Sequence, residues 1–77
     1  MKVTAPLVVR DLHDTHPDDY SPDTFDVACA VDGKLCYSDE LFTTRSAAED
    51  YIARLVQFGL PQAIERGDMV VAEKEQA

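Results

Sequence analysis

Between Asp11 and Asp23 the chain reads DLHDTHPDDYSPD, a stretch with five aspartates, two histidines, one tyrosine and no lysine or arginine. Imidazole and carboxylate are ligand types that zinc, nickel or manganese accept. His13 and His16, spaced His-x-x-His among Asp11, Asp14, Asp18 and Asp19, are therefore the residues through which the chain could hold a metal. The spacing repeats no motif with a defined coordination geometry, and Pro17 follows His16 directly. The glycine and terminal glutamate of a calcium loop are missing as well. The expectation is no metal and no cofactor, with His13 and His16 as the alternative metal-binding pair.

Nucleophilic chemistry has less to work with. The chain lacks a Gly-rich phosphate loop, a nucleophile elbow and a helical His-Glu-x-x-His. Its two cysteines, Cys29 and Cys36, are too few for a disulfide scaffold and too far apart for a Cys-x-x-Cys metal clip. A catalytic cysteine needs exposure and an electropositive neighbourhood, whereas both lie in an acidic part of the chain. No catalytic residue is expected, and the protein reads as a non-enzyme. The tripeptide Arg66-Gly67-Asp68 recurs in integrin recognition, but here it reads as a turn into a last strand.

The charge map is more informative. Residues 11–40 hold nine acids (Asp11, Asp14, Asp18, Asp19, Asp23, Asp26, Asp32, Asp39, Glu40) against one base, Lys34, and so carry the whole formal charge of −8. The remainder has six acids and six bases and sums to zero. A segregated negative field steers basic partners and fades with salt. It repels nucleic acid, whose binding needs Lys and Arg at phosphates, so direct nucleic-acid binding is the least expected class and none is expected here. No run approaches the roughly 20 apolar residues of a membrane span, and the opening MKVTAPLVVRD is too short for a secretory core. The expectation is a soluble, intracellular chain.

With 77 residues the chain has material for a single domain, 1–77, with an acidic loop over 11–23 and a polar tail over 74–77. The run 6–12 reads as a first strand. In 24–40, Phe25, Val27, Cys29 and Val31 alternate with Asp26, Ala28 and Ala30, the period of a half-buried strand. Asp32-Gly33 marks a hairpin turn. A two-residue loop would place Cys29 opposite Cys36. A three-residue loop with Gly33 in a bulge would place Cys29 opposite Leu35 and Val27 opposite Tyr37, gathering five large side chains on one face. Burial favours the second register, which buries Cys29, turns Cys36 to the opposite face and keeps the two apart. The outer sheet face would then show Asp26, Ala28, Ala30, Cys36, Ser38 and Glu40.

A helix follows. Ser46 and Glu49 fit a capping box, and Ala48, Tyr51, Ile52, Leu55 and Phe58 or Gly59 form the buried stripe. Gly59 supplies the left-handed cap and Pro61 blocks continuation. PQAIERG can make one short turn before a last strand over 68–73. The fold class is α+β: an antiparallel sheet of three to four strands in the order β-ββ-α-β, with one helix on one face. Tyr20, among acids and without apolar neighbours, suits an interface anchor or a lid over the sheet edge.

Over FDVACAVDGKLCYSDELFTTRSAAEDYIARLVQFGL, residues 25–60, the chain resembles the small acidic anti-CRISPR proteins of phages. The resemblance is one of architecture and charge, carried by the Gly-turn hairpin at VDGK and the amphipathic helix SAAEDYIARL ending at FGL. It implies an inhibitor that acts without chemistry, placing carboxylates where a CRISPR effector subunit, or another basic nucleic-acid-binding protein, holds phosphates. It also implies action in the cytoplasm of a host bacterial cell. The charge map then selects Asp14, Asp18, Asp19, Tyr20, Asp23, Asp26, Asp39 and Glu40 as the partner-binding set. A different expectation is a small intracellular interaction domain, with a homodimer as one form.

Overall fold

The chain's first apolar run forms strand β1 (Val3–Asp11) in a computed structural model that describes residues 2–72. β1 begins before the expected 6–12 and is irregular around Pro6, where its pairing slips between Ala5 and Val8. Proline cannot donate to a ladder, so it is tolerated on an edge strand such as this one. At Asp11 the chain turns into a single helical turn, α1 (Leu12–Thr15), within the stretch expected as loop. The Asp11 side chain caps it by accepting from the Asp14 amide at 3.2 Å, and Leu12 is buried beneath.

Strands β2 (Phe25–Val31) and β3 (Lys34–Ser38) form the expected hairpin, but in the other register. Cys29 pairs with Cys36, Ala28 with Tyr37 and Ala30 with Leu35. The turn explains it: Asp32 (φ 52°) and Gly33 (φ 79°) both lie at positive φ, the two-residue geometry that matches strand twist and suits Asp-Gly. No bulge is inserted, so every residue of β3 faces the side opposite to that expected. Cys36 and Ser38 point into the core, while Leu35 and Tyr37 point out. Ser38 is tolerated inside because its hydroxyl accepts from Val27 N (3.1 Å) and donates to the Glu40 carbonyl (2.9 Å), which leaves no unpaired polar atom there.

Helix α2 (Arg45–Phe58) starts at a different cap from the expected one. Thr44, not Ser46, is the N-cap: it has the extended backbone (φ −139°, ψ 151°) that a cap requires, and its hydroxyl accepts from Ala47 N at 3.0 Å. Ser46 already lies inside the first turn. Ala48 and Leu55 are buried, with Tyr51 and Ile52 packed partly beside them, but Phe58 is outside the stripe and exposed. Gly59 ends the helix at φ 101°, a conformation that costs glycine little. Pro61 does not stop the chain there. It sits in the first turn of a further helix, α3 (Leu60–Arg66), where its missing N–H removes no bond.

The last strand, β4 (Met69–Val71), is shorter than the expected 68–73. Position 73 and the polar tail over 74–77 lie outside the described residues. The sheet is antiparallel in the order β1-β2-β3-β4. The core lies on one face, where Val27, Cys29, Cys36 and Met69 meet Ala48, Leu55, Leu60 and Ala63 of the helices. This is the expected α+β class with a four-stranded antiparallel sheet, but α2 and α3 together cover the core face where a single helix was expected, and α1 is inserted between β1 and β2.

Candidate interaction surface

Antiparallel pairing decides where the acids go. β1 ends opposite the start of β2 (Asp11 with Phe25), and β3 ends opposite the start of β4 (Ser38 with Met69). A bridge joins Phe25 to Phe42, and Asp39 N donates to the Asp68 carbonyl at 2.9 Å. The segments 12–24, 39–44 and 67–68 therefore leave the sheet at the same end. Asp14, Asp18, Asp19, Asp23, Asp39 and Glu40 are all exposed there. The opposite end carries Lys2, Lys34 and Asp32, and the Asp32 carboxylate accepts from Lys2 N at 3.0 Å. Arg45, Arg54 and Arg66 all reach the acidic end, Arg54 and Arg66 lining a hollow with Asp39 and Glu40. Arg45 lies over the Phe25 ring at 5.4 Å, and Arg66 pairs with Asp68 at 3.3 Å.

Asp26 leaves the expected partner-binding set. It is only 3% exposed, and its two carboxylate oxygens accept a bidentate pair from Arg10, with Nε to Oδ1 at 2.8 Å and Nη2 to Oδ2. The pair is enforced by register, since Arg10 stands directly opposite Asp26 on β1. The hydrogen bonds to Asp26 raise the Arg10 guanidinium above its ordinary value despite its partial burial. Asp26 therefore neutralises Arg10 and offers no charge to a partner.

Tyr20, half-buried, lines a hollow of 360 Å³ with Arg10, Asp26, Leu35, Tyr37, Ser38, Asp39 and Leu41. The guanidinium of Arg10 lies 6.0 Å from the Tyr37 ring centre. Tyr20 has thus folded over the sheet edge and joins the acidic loop to the outer sheet face. Arg10, Leu35, Tyr37 and Leu41 are site neighbours that sequence reasoning missed. The signal that could have found them is the two-residue turn, which sends residues 35 and 37 outward.

That outer face differs from the small, acidic surface expected. Cys36 and Ser38 are absent from it, and Asp26 is masked by Arg10. Val8 (48% exposed) and Leu35 (44% exposed) stand instead beside Ala5, Pro6, Ala28 and Ala30. The face is apolar, with one internally paired charge.

The remaining chemistry-bearing residues are engaged locally. His13 directs Nδ1 to the Tyr20 carbonyl at 2.8 Å; a carbonyl only accepts, so that nitrogen carries the proton. His16 directs Nδ1 to the Thr15 hydroxyl at 3.0 Å and meets the Tyr20 ring edge-on. Among the described residues no group of three or more His, Cys, Asp or Glu side chains is placed to hold a metal ion. In Arg66-Gly67-Asp68 the two charges pair with each other, and Gly67 caps α3 in the left-handed conformation, so the tripeptide is the turn into β4.

A second hollow, of 340 Å³, lies between the end of β3 and the helices and is lined by Asp39, Glu40, Tyr51, Arg54, Phe58 and Asp68 among others. Burial raises the Tyr51 phenol above its ordinary value, helped by Asp68 and Glu40. Its hydroxyl donates to the Asp68 carbonyl at 3.4 Å. Both cysteines are buried free thiols. Among the described residues no helix is long and apolar enough to cross a membrane. Comparisons with protein-family models, curated proteins and solved structures gave no match.

Proposed function

We propose that this chain is a non-enzymatic binding protein whose acidic end seats on a Lys/Arg-lined surface of a nucleic-acid-handling protein and keeps nucleic acid off it. In its specific form it is an anti-CRISPR inhibitor acting on a CRISPR effector complex in the cytoplasm of a host bacterial cell. The observation that carries the reading is the gathering of six exposed carboxylates at one end of the sheet. None of them is in an ion pair among the described residues.

The physics of such a site is that of phosphate mimicry. Carboxylates accept short, charge-assisted bonds from arginine, and a one-sided field raises the encounter rate with a basic surface. Asp14, Asp18, Asp19 and Asp23 come from the loop and its single helical turn, and Asp39 and Glu40 from the exit of β3. Tyr20, fixed against the sheet edge, is the aromatic anchor between them. Rim charges of this kind act chiefly on association rate and salt dependence.

The test uses a guide-loaded CRISPR effector complex and a labelled target duplex, with displacement of the duplex as the readout. The chain should displace the duplex, with potency falling steeply as salt rises. Asp18→Lys with Asp19→Lys should abolish displacement while circular dichroism stays native. Unaltered displacement by the double variant would refute the charge reading.

The apolar outer sheet face favours a second reading, a small interaction domain that pairs with a second copy through Val8 and Leu35. It expects a dimer by light scattering that Leu35→Lys dissociates. A monomer at high concentration would remove it.

A further inference from the structure

Cys29 and Cys36 stand directly opposite each other on the two central strands, both inside the core and both free. Directly paired residues of an antiparallel ladder hold their Cβ atoms about 4.5–5.5 Å apart; a disulfide takes about 4.4–6.8 Å between Cα atoms and about 3.5–4.5 Å between Cβ atoms, so the Cα spacing fits and the two strands must draw slightly together at this pair. We propose that this pair is a redox site, oxidised by a low-molecular-weight disulfide to a cross-strand bond that staples β2 to β3 and leaves the fold unchanged.

The chemistry balances in two exchanges. One thiol of the pair loses its proton and attacks a sulfur of the oxidant, breaking the oxidant's S–S bond and releasing one small thiol that takes up the proton. The protein now carries a mixed disulfide. The second cysteine, likewise deprotonated, attacks the protein-side sulfur and displaces the second small thiol. Two electrons and two protons have moved from the pair to the oxidant.

Access sets the rate. Cys36 is 0% and Cys29 5% exposed, and burial pushes the Cys36 thiol up to about 12 and raises that of Cys29. Buried, protonated thiols exchange slowly, so the first step runs through openings of the hairpin. Once it has occurred, the short turn between the strands keeps the second sulfur at high effective concentration. Closure then outruns capture by another oxidant molecule. The chain has no third cysteine, so no other intramolecular bond competes. This inference is independent of the acidic end.

The experiment incubates the full chain with excess oxidised glutathione at mildly alkaline pH, in water and in sub-denaturing urea, and maps the products by mass spectrometry. The expected product is monomeric, lighter by two hydrogens, native by circular dichroism and higher in thermal midpoint by several degrees. It should form faster as urea rises. Cys29→Ala and Cys36→Ala should each yield only the mixed disulfide on the remaining cysteine, with no gain in midpoint. Four results would overturn the proposal: glutathione on both cysteines of the wild type, chains cross-linked to one another, an oxidised product with lost structure or a lowered midpoint, or thiols still free after unfolding and refolding in the oxidant.

Discussion

Replacing Arg10 by methionine should destabilise the protein more than any surface charge change, and removing Asp26 as well should undo most of the damage. Methionine keeps much of the apolar stem that covers Asp26, so the carboxylate stays inside without its partner. Removing one member of a buried ion pair costs about 3–5 kcal/mol. Because the Arg10 side chain is 35% exposed while that of Asp26 is 4% exposed, some water reaches the site, and the lower figure of about 3 kcal/mol applies. A chain of 77 residues has roughly 4–11 kcal/mol in total, so the variant loses a large share of its stability. With a urea slope of about 1 kcal/mol per molar, the midpoint should drop by about 3 M at neutral pH. Adding Asp26→Leu to Arg10→Met should restore most of the loss. A midpoint unchanged at neutral pH, or a double variant no more stable than Arg10→Met alone, would refute the account of Asp26 as a buried, internally spent charge.

The helix start and the thiols make two further expectations. Thr44→Ala should cost about 1 kcal/mol in chemical denaturation and Ser46→Ala close to nothing; the reverse order would restore the capping box at Ser46. The Cys36 thiol, raised from 9.0 to about 12 by burial, keeps its proton in the folded chain where the unfolded chain loses it. Stability is thus whole below about pH 9 and falls through the window up to about 12, by at most ~1.4 kcal/mol per pH unit from this group. Urea midpoints taken across that window should decline, Cys36→Ala should flatten the decline, and a flat wild-type profile would contradict the burial.

Much of the fold was legible because its signals are local. The alternation from Phe25 to Val31, the Asp-Gly turn and the apolar stripe from Ala48 to Leu55 each occupy one stretch of chain and obey one period. The cap was misread because Thr44 and Ser46 carry the same chemistry, and the extended backbone that marks Thr44 as the cap lies just past the Phe42 bridge to Phe25, a contact between separated parts of the chain. The candidate surface was legible as charge and illegible as geometry. All six exposed carboxylates lie in runs whose ends must meet if the sheet is antiparallel, but nothing around Asp26 in the sequence says that Arg10 will cover it.

The amount of charge, its confinement to residues 11–40 and the kinds of element were settled by the order of the amino acids, since composition is a sum and periodicity is local. Which face each β3 residue occupies was settled only in three dimensions. The two hairpin registers differ by one residue and use the same side chains. The choice depends on whether Asp32 accepts positive φ and on whether Met69 and the helices already fill the volume that Leu35 and Tyr37 would need. That comparison joins residues far apart in the chain. It brings the two cysteines together, leaves Leu35 on the open face and, through the pairing of β1 with β2, removes Asp26 from the surface.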